Sequence, residues 1–344
     1  MNTTKKFLRG TFFLIILFVI FSYVSEVFAR KWDEQKYVDN FYEQPEDSID
    51  VLFIGASGYG TGVSPLILWE EAGIAGFTRA VGAQQASMMY YYLLESLKYQ
   101  NPDVVVLDAY RLVRHQTLAT NESAYRRAYE ILPISDVKLR ALFDITSDTD
   151  FNNFISFLFP FFRYHTRWAD LEQKDFDFND NDINYVSKGQ SLNFIAFPAE
   201  LSEDFMTPAI KEANIHYDEL LYFEKMIQLC RDRDINVFLM VMPRLSQADY
   251  SEYVAVKNFA EDNQLLFIDY NLPELMSEVS FDPSTDMADE GHVNPCGAVK
   301  FSRHLAEVLK NNFRLPDRRN DPDYFKWHSD LEKLKEQISQ NCNQ

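Results

Sequence analysis

Two short segments, far apart in the chain, carry residues that could do chemistry together. One is Gly55-Ala56-Ser57-Gly58-Tyr59-Gly60, after an apolar run; the other is Asp286-Met287-Ala288-Asp289-Glu290-Gly291-His292-Val293-Asn294-Pro295. A serine hydroxyl becomes a nucleophile when a base takes its proton, and an imidazole is that base when a carboxylate fixes its tautomer. Asp289, three residues before His292, can fold back within one loop, accept the Nδ1–H and leave Nε2 for a serine. This spacing nominates Ser57 as nucleophile, His292 as base and Asp289 as orienter. Taken alone, the glycine-rich turn fits a phosphate-binding turn or a tight connection equally well, and His292 alone reads as a surface loop histidine. No Gly-Lys-Ser/Thr follows the turn, so it is not a Walker loop, and its glycine spacing is not the dinucleotide fingerprint.

The elements around these segments must bring them to one place. Ile49–Ile54, Phe77–Val81, Asp103–Asp108, Ile235–Met242 and Leu265–Tyr270 are short apolar runs of the kind that form strands covered on both faces. Helical patterns begin at Pro65 and cover Ser87–Tyr99, Tyr217–Arg233, Tyr250–Asn263 and Gly297–Asn311. Five strands interleaved with helices predict a three-layer α/β/α sandwich with a mostly parallel five-stranded sheet in the flavodoxin-like order. In such a sheet, ligands bind at the carboxyl ends of the strands, where the turn at Ser57 falls. Residues 112–213 break the rhythm and read as a helical and irregular insertion. The predicted division is a segment at 1–29, a linker at 30–46, a catalytic domain at 47–313 and a tail at 314–344.

Lys5, Lys6 and Arg9 precede an uncharged apolar run from Thr11 to Val24. It reads as a signal anchor or a cleavable signal; large residues around Ala29 favour the anchor. Either way the positive flank stays in the cytoplasm and the remainder is exported. A formal net charge of −19 repels phosphate backbones, which argues against nucleic acid as a partner. Cys230, Cys296 and Cys342 lack metal-ligand spacing, and an odd count argues against a disulfide framework; all three are expected as free thiols. The Asp175–Asp182 stretch lacks the glycine and terminal glutamate of an EF-hand loop and reads as a solvated acidic loop. No metal and no cofactor are expected.

The first-strand Gly-x-Ser and the late Asp-x-x-His before the last helix resemble the first and last blocks of the SGNH (GDSL-like) hydrolase superfamily. Pro65–Ile74, Tyr164-His165-Thr166-Arg167-Trp168, and Leu315-Pro316-Asp317-Arg318-Arg319 with Trp327 resemble an exported, membrane-anchored branch in Gram-positive bacteria. The resemblance implies roles for Ser57, Asp289 and His292 as above. It also implies that the Gly82 amide joins the Ser57 amide in the oxyanion hole. The third block departs from the family, since Leu107-Asp108-Ala109-Tyr110-Arg111 has no asparagine, and Arg111 or Tyr110 is the candidate replacement donor. Arg111 could equally pair with Asp108. Gln84, Tyr110, His165 and Arg167 are candidates for substrate contact, with a structural role open for the last two: Arg167 paired to an Asp, Trp168 buried. Gly58 stands where the branch often has a polar residue. By analogy with D-alanine-transfer proteins and alginate O-acetyltransferases, the resemblance implies esterase or O-acyltransferase chemistry, with acetyl as the implied acyl group, on a cell-envelope glycan or polyol. A membrane-bound O-acyltransferase is the implied partner. The alternative is a catalytically degenerate SGNH-fold protein that binds envelope polymer or that membrane partner, which need not hold Ser57 Oγ near His292 Nε2.

Overall fold

The computed structural model describes residues 2–29, 32, 34–147, 149, 151–176, 183–208, 212–246 and 248–342. Much of the acidic stretch at 175–182 lies outside them. The chain forms two compact units. One comprises residues 1–35 and 125–180, the other 36–124 and 181–344.

The larger unit is built on five strands: β1 (Val51–Gly55), β2 (Gly76–Ala80), β3 (Val104–Asp108), β4 (Asn236–Val241) and β5 (Leu266–Asp269). They form one sheet in the order β2-β1-β3-β4-β5, and every pair is parallel. Alternation along each strand sorts the side chains to two faces. Leu52, Ile54, Val105, Leu107, Val237 and Leu239 pack with the helices Ala86–Ser96, Tyr217–Arg231 and Tyr250–Asn263. Val51, Phe53, Val104, Val106, Phe238 and Met240 pack with the helices Ser57–Gly62, Pro65–Ala72 and Pro295–Asn312. The result is the expected three-layer sandwich. Its strand order reverses direction between β1 and β3, which opens a crevice beyond their carboxyl ends.

Two regions near the ends are more ordered than the sequence suggests. Residues 35–42, inside the expected linker, form a helix with Val38 and Phe41 buried. The tail forms the helix Phe325–Asn341, whose Trp327, Leu331 and Leu334 pack against Leu66, Ile67 and Trp69. The Asp317-Arg318-Arg319 motif stitches this end to the sheet. Arg318 donates to Asp50 Oδ1 through Nε (3.2 Å) and Nη2 (3.0 Å), while Asp50 Oδ2 accepts the Ala75 amide at 2.9 Å. Lys188 Nζ donates to Asp330 Oδ2 at 2.8 Å with both side chains buried, which ties residues 183–192 to the last helix.

The expectation of three free thiols is overturned. Cys296 and Cys342 form a disulfide, and Cys230 alone is free, buried in the core. The tail helix folds back beside the helix Pro295–Asn312, and spacing along the chain carries no trace of that return. A bridge across 46 residues stabilises by about 4 kcal/mol in the loop-entropy view, and such bonds persist in oxidising compartments.

The smaller unit holds the N-terminal helix Asn2–Ala29, of which Thr4–Phe28 is long and apolar enough to cross a membrane, a property that a signal sequence shares. Phe18, Phe21 and Phe28 meet Phe159, Phe161 and Phe162 ring to ring. Short helices at Asp136–Thr146 and Phe151–Leu158 complete it around a buried Arg126–Glu130 pair at 3.0 Å.

Candidate active site

Ser57 opens the six-residue helix that follows β1. The turn is packed tightly. A side chain at Gly55 would put its Cβ 2.6 Å from Asp108 Cβ, so only glycine lets the ends of β1 and β3 approach this closely. That approach allows Asp108 Oδ2 to accept the Ala56 amide at 3.0 Å. Tyr59, wholly buried, donates its hydroxyl to the Met240 carbonyl at 2.8 Å, and burial holds its pKa well above the usual phenol range.

His292 and Asp289 sit on a two-stranded antiparallel hairpin, β6 (Met287–Asp289) and β7 (His292–Val293), which the sequence reading leaves as loop. Asn294 anchors it. Its Oδ1 caps the following helix by accepting the amides of Cys296 (3.0 Å) and Gly297 (3.1 Å), while Nδ2 donates to the Thr285 carbonyl at 2.8 Å. The hairpin delivers a continuous chain of contacts. His292 Nε2 lies 2.7 Å from Ser57 Oγ. His292 Nδ1 lies 2.9 Å from each Asp289 oxygen, and Asp289 Oδ1 also accepts the Gly291 amide at 2.8 Å. The Asp289 side chain is 58% exposed, so water competes for this carboxylate.

Ser57 and His292 line a cavity of about 690 Å³, together with Tyr110, Arg111, Arg114 and Arg244. Of the residues expected to contact substrate or the oxyanion, Ser57, Tyr110 and Arg111 line this cavity. Arg111 Nε is 3.8 Å from Asp108 Oδ2, beyond hydrogen-bond distance, and has no hydrogen-bond partner. Burial lowers the Arg111 pKa, nearby Asp108 opposes this, and Arg244 adds to it. Arg114 binds Glu252 at 2.7 Å and donates from Nε to the Tyr110 hydroxyl at 2.7 Å. Burial raises Glu252 to about 7 against the pull of Arg114.

The remaining expected residues are placed differently. Gly82 lies in the turn after β2, and its neighbour Ala83, held at φ 56°, lines the cavity. Gln84 is wholly buried and is not among the lining residues. His165 and Arg167 belong to the smaller unit and do not line the cavity. There Arg167 donates to Asp175 Oδ1 at 3.0 Å and to the Phe28 carbonyl at 2.8 Å, a structural role, while Trp168 is exposed rather than buried. Arg244 was missed. Its signal was a charged residue two positions after the apolar run Ile235–Met242, beyond Pro243, at the carboxyl edge of the sheet.

Among the described residues, one cluster has metal-ligand chemistry: His115, His216 and Asp218, exposed, with ligand atoms within 4.8 Å of one another. The two imidazoles are stacked, 3.6 Å between centroids and 12° between planes. Stacking sets their lone pairs side by side instead of converging on one ion, and His115 Nδ1 is already engaged by Glu219 at 2.8 Å. The arrangement fits a metal poorly.

No protein-family model matches the chain, and no curated protein matches it in sequence. Among solved structures, several are similar to it over most of its length. A protein of Bacteroides fragilis assigned as an acylhydrolase shares 14% identity over 81% of this chain and 97% of its own, with a TM-score of 0.38. A GDSL-like lipase of Bacteroides thetaiotaomicron shares 10% over 83% and 98%, also with a TM-score of 0.38. A gut microbial diltiazem-metabolizing enzyme shares 11% over 77% of this chain and 48% of its own, with a TM-score of 0.36.

Proposed function

We propose that the protein is a serine esterase or O-acyltransferase. The observation that carries this reading is the contact chain Ser57 Oγ–His292 Nε2–Asp289, at 2.7 and 2.9 Å. His292 takes the hydroxyl proton as Ser57 Oγ attacks the acyl carbonyl. The oxyanion is met by the amides of Ser57 and Gly82 and by the Arg111 guanidinium. Imidazolium then returns its proton to the leaving alkoxide as the ester bond breaks, leaving an acyl-serine. An incoming hydroxyl gives its proton to His292 and attacks the acyl-serine; the bond from the acyl carbon to Ser57 Oγ then breaks, and the serine takes that proton back from the imidazolium. Water as acceptor makes the protein an esterase; a sugar or polyol hydroxyl makes it a transferase.

The setting proposed is extracytoplasmic, with the helix Thr4–Phe28 as a single-pass anchor whose N-terminus faces the cytoplasm. The Cys296–Cys342 disulfide supports an exported domain. The substrate proposed is an acyl, most simply acetyl, ester of a cell-envelope glycan or polyol, with a membrane-bound O-acyltransferase as the partner that supplies the acyl group. A purely binding role does not require the 2.7 Å contact between Ser57 and His292. Incubation with a fluorophosphonate probe tests the reading: mass spectrometry is expected to locate the adduct on Ser57 and to find none in Ser57→Ala. Absence of labelling, under conditions where a control serine hydrolase reacts, refutes it.

A further inference from the structure

Three guanidinium groups surround the ring of Tyr110. Their Cζ atoms lie 4.1 Å (Arg244), 4.8 Å (Arg114) and 5.0 Å (Arg111) from its centroid. All three line the cavity that holds Ser57 and His292. Their counter-charges differ. Arg114 is paired with Glu252 at 2.7 Å. Arg111 has only Asp108 at 3.8 Å, and the nearer Asp108 oxygen already accepts the Ala56 amide. Arg244 is buried, and among the described residues no carboxylate lies within 4.0 Å of its guanidinium. Asp249, on the cavity wall, uses Oδ1 to cap the next helix by accepting the Ser251 amide. Arg244 thus stands over the Tyr110 ring on the cavity wall, with Glu252 near enough to act on it electrostatically but with no carboxylate in ion-pair contact among the described residues, which leaves its guanidinium nitrogens for a ligand.

We infer that Arg244 holds a fixed negative charge on the substrate, a carboxylate or phosphate group, next to the ester that Ser57 attacks. This rests on the esterase or transferase reading of Ser57. The placement comes from Gly58. A Cβ at that residue would stand 3.2 Å from Arg244 Nη2, so the guanidinium reaches the residue adjoining the nucleophile. Glycine there leaves the approach between anion and serine open. The arginine is also held in position. Its amide donates to Asn271 Oδ1 at 2.7 Å, and Asn271 Nδ2 donates to Asp269 Oδ1 at 2.7 Å. A planar guanidinium fork binds carboxylate or phosphate through two parallel hydrogen bonds, a geometry that an ammonium does not reproduce.

The test compares kcat/KM for neutral p-nitrophenyl acetate and anionic mono-p-nitrophenyl succinate, and measures binding of inorganic phosphate and of acetate by calorimetry. Wild type is expected to prefer the anionic ester. Arg244→Gln should lower the anionic-to-neutral ratio by about 30-fold or more, and Arg244→Lys, which keeps the charge and guards against misfolding of the first variant, should lower it less. Whichever anion binds wild type more tightly, with the binding lost in Arg244→Gln, identifies the group as phosphate or carboxylate. If no ester is turned over but an anion still binds through Arg244, the anion site stands and the ester reading falls. If esters are turned over with the same ratio in all three proteins and neither anion binds, the ester reading stands and the anion site is overturned.

Discussion

Asp289 is where the geometry and the expected chemistry pull in different directions. Both of its oxygens lie 2.9 Å from His292 Nδ1, as an orienting carboxylate requires, yet its side chain is 58% exposed. The attraction between this carboxylate and the imidazolium formed during reaction, at about 4 Å between charge centres, is worth about 1 kcal/mol in water and about 4 kcal/mol at an effective dielectric of 20. Exposure places the value near the low end, at about 1–2 kcal/mol, or roughly 5- to 30-fold in rate. In Asp289→Ala, water can accept the Nδ1–H that the carboxylate releases, so kcat is expected to fall by roughly that factor and no further. Asp289→Asn should be worse. The Gly291 amide, 2.8 Å from Oδ1, selects the oxygen of the new amide and turns its NH₂ toward Nδ1. That favours the tautomer protonated at Nε2, which is unable to take the Ser57 proton; where the orienting Asp is buried, this exchange costs about 10⁴-fold. Steady-state turnover of p-nitrophenyl acetate and the rate of fluorophosphonate labelling both report the effect. A loss near 10⁴-fold in Asp289→Ala, or an alanine variant slower than the asparagine one, would refute this reasoning.

Two further outcomes follow from other parts of the molecule. Asp330→Ala leaves Lys188 buried without its partner and should cost about 3–5 kcal/mol, read as a fall in the denaturant midpoint. Lys188→Met with Asp330→Leu should recover most of that loss. In protoplasts, protease added outside is expected to digest the chain beyond the helix Thr4–Phe28, and protection of that region would reverse the proposed topology.

Much of the frame was legible in the residues themselves. Apolar runs of about five to eight residues between helical patterns specify buried parallel strands, because such strands are covered on both faces and show no polar alternation. All five fall within two or three residues of where the pattern puts them, and the expected mostly parallel sheet is parallel throughout. The closeness of Asp289 to His292 was legible too, because an Asp-x-x-His spacing closes within one loop, whereas the contact with Ser57 needs the sheet to bring distant segments together. What the sequence left open depends on contacts between residues remote in the chain. The distance between Arg111 and Asp108 is one example: at 3.8 Å from Nε to Oδ2 it is too long for a hydrogen bond, and the close approach of β1 and β3 at Gly55 leaves that oxygen to the Ala56 amide. The Cys296–Cys342 bridge required the return of the tail helix, and the loss of His165 and Arg167 from the site required their assignment to the other unit. Arg244 was invisible for the same reason: a charge after a strand is ordinary in sequence. Burial beside two other arginines, with no carboxylate in ion-pair contact among the described residues, is a property only the packed structure creates.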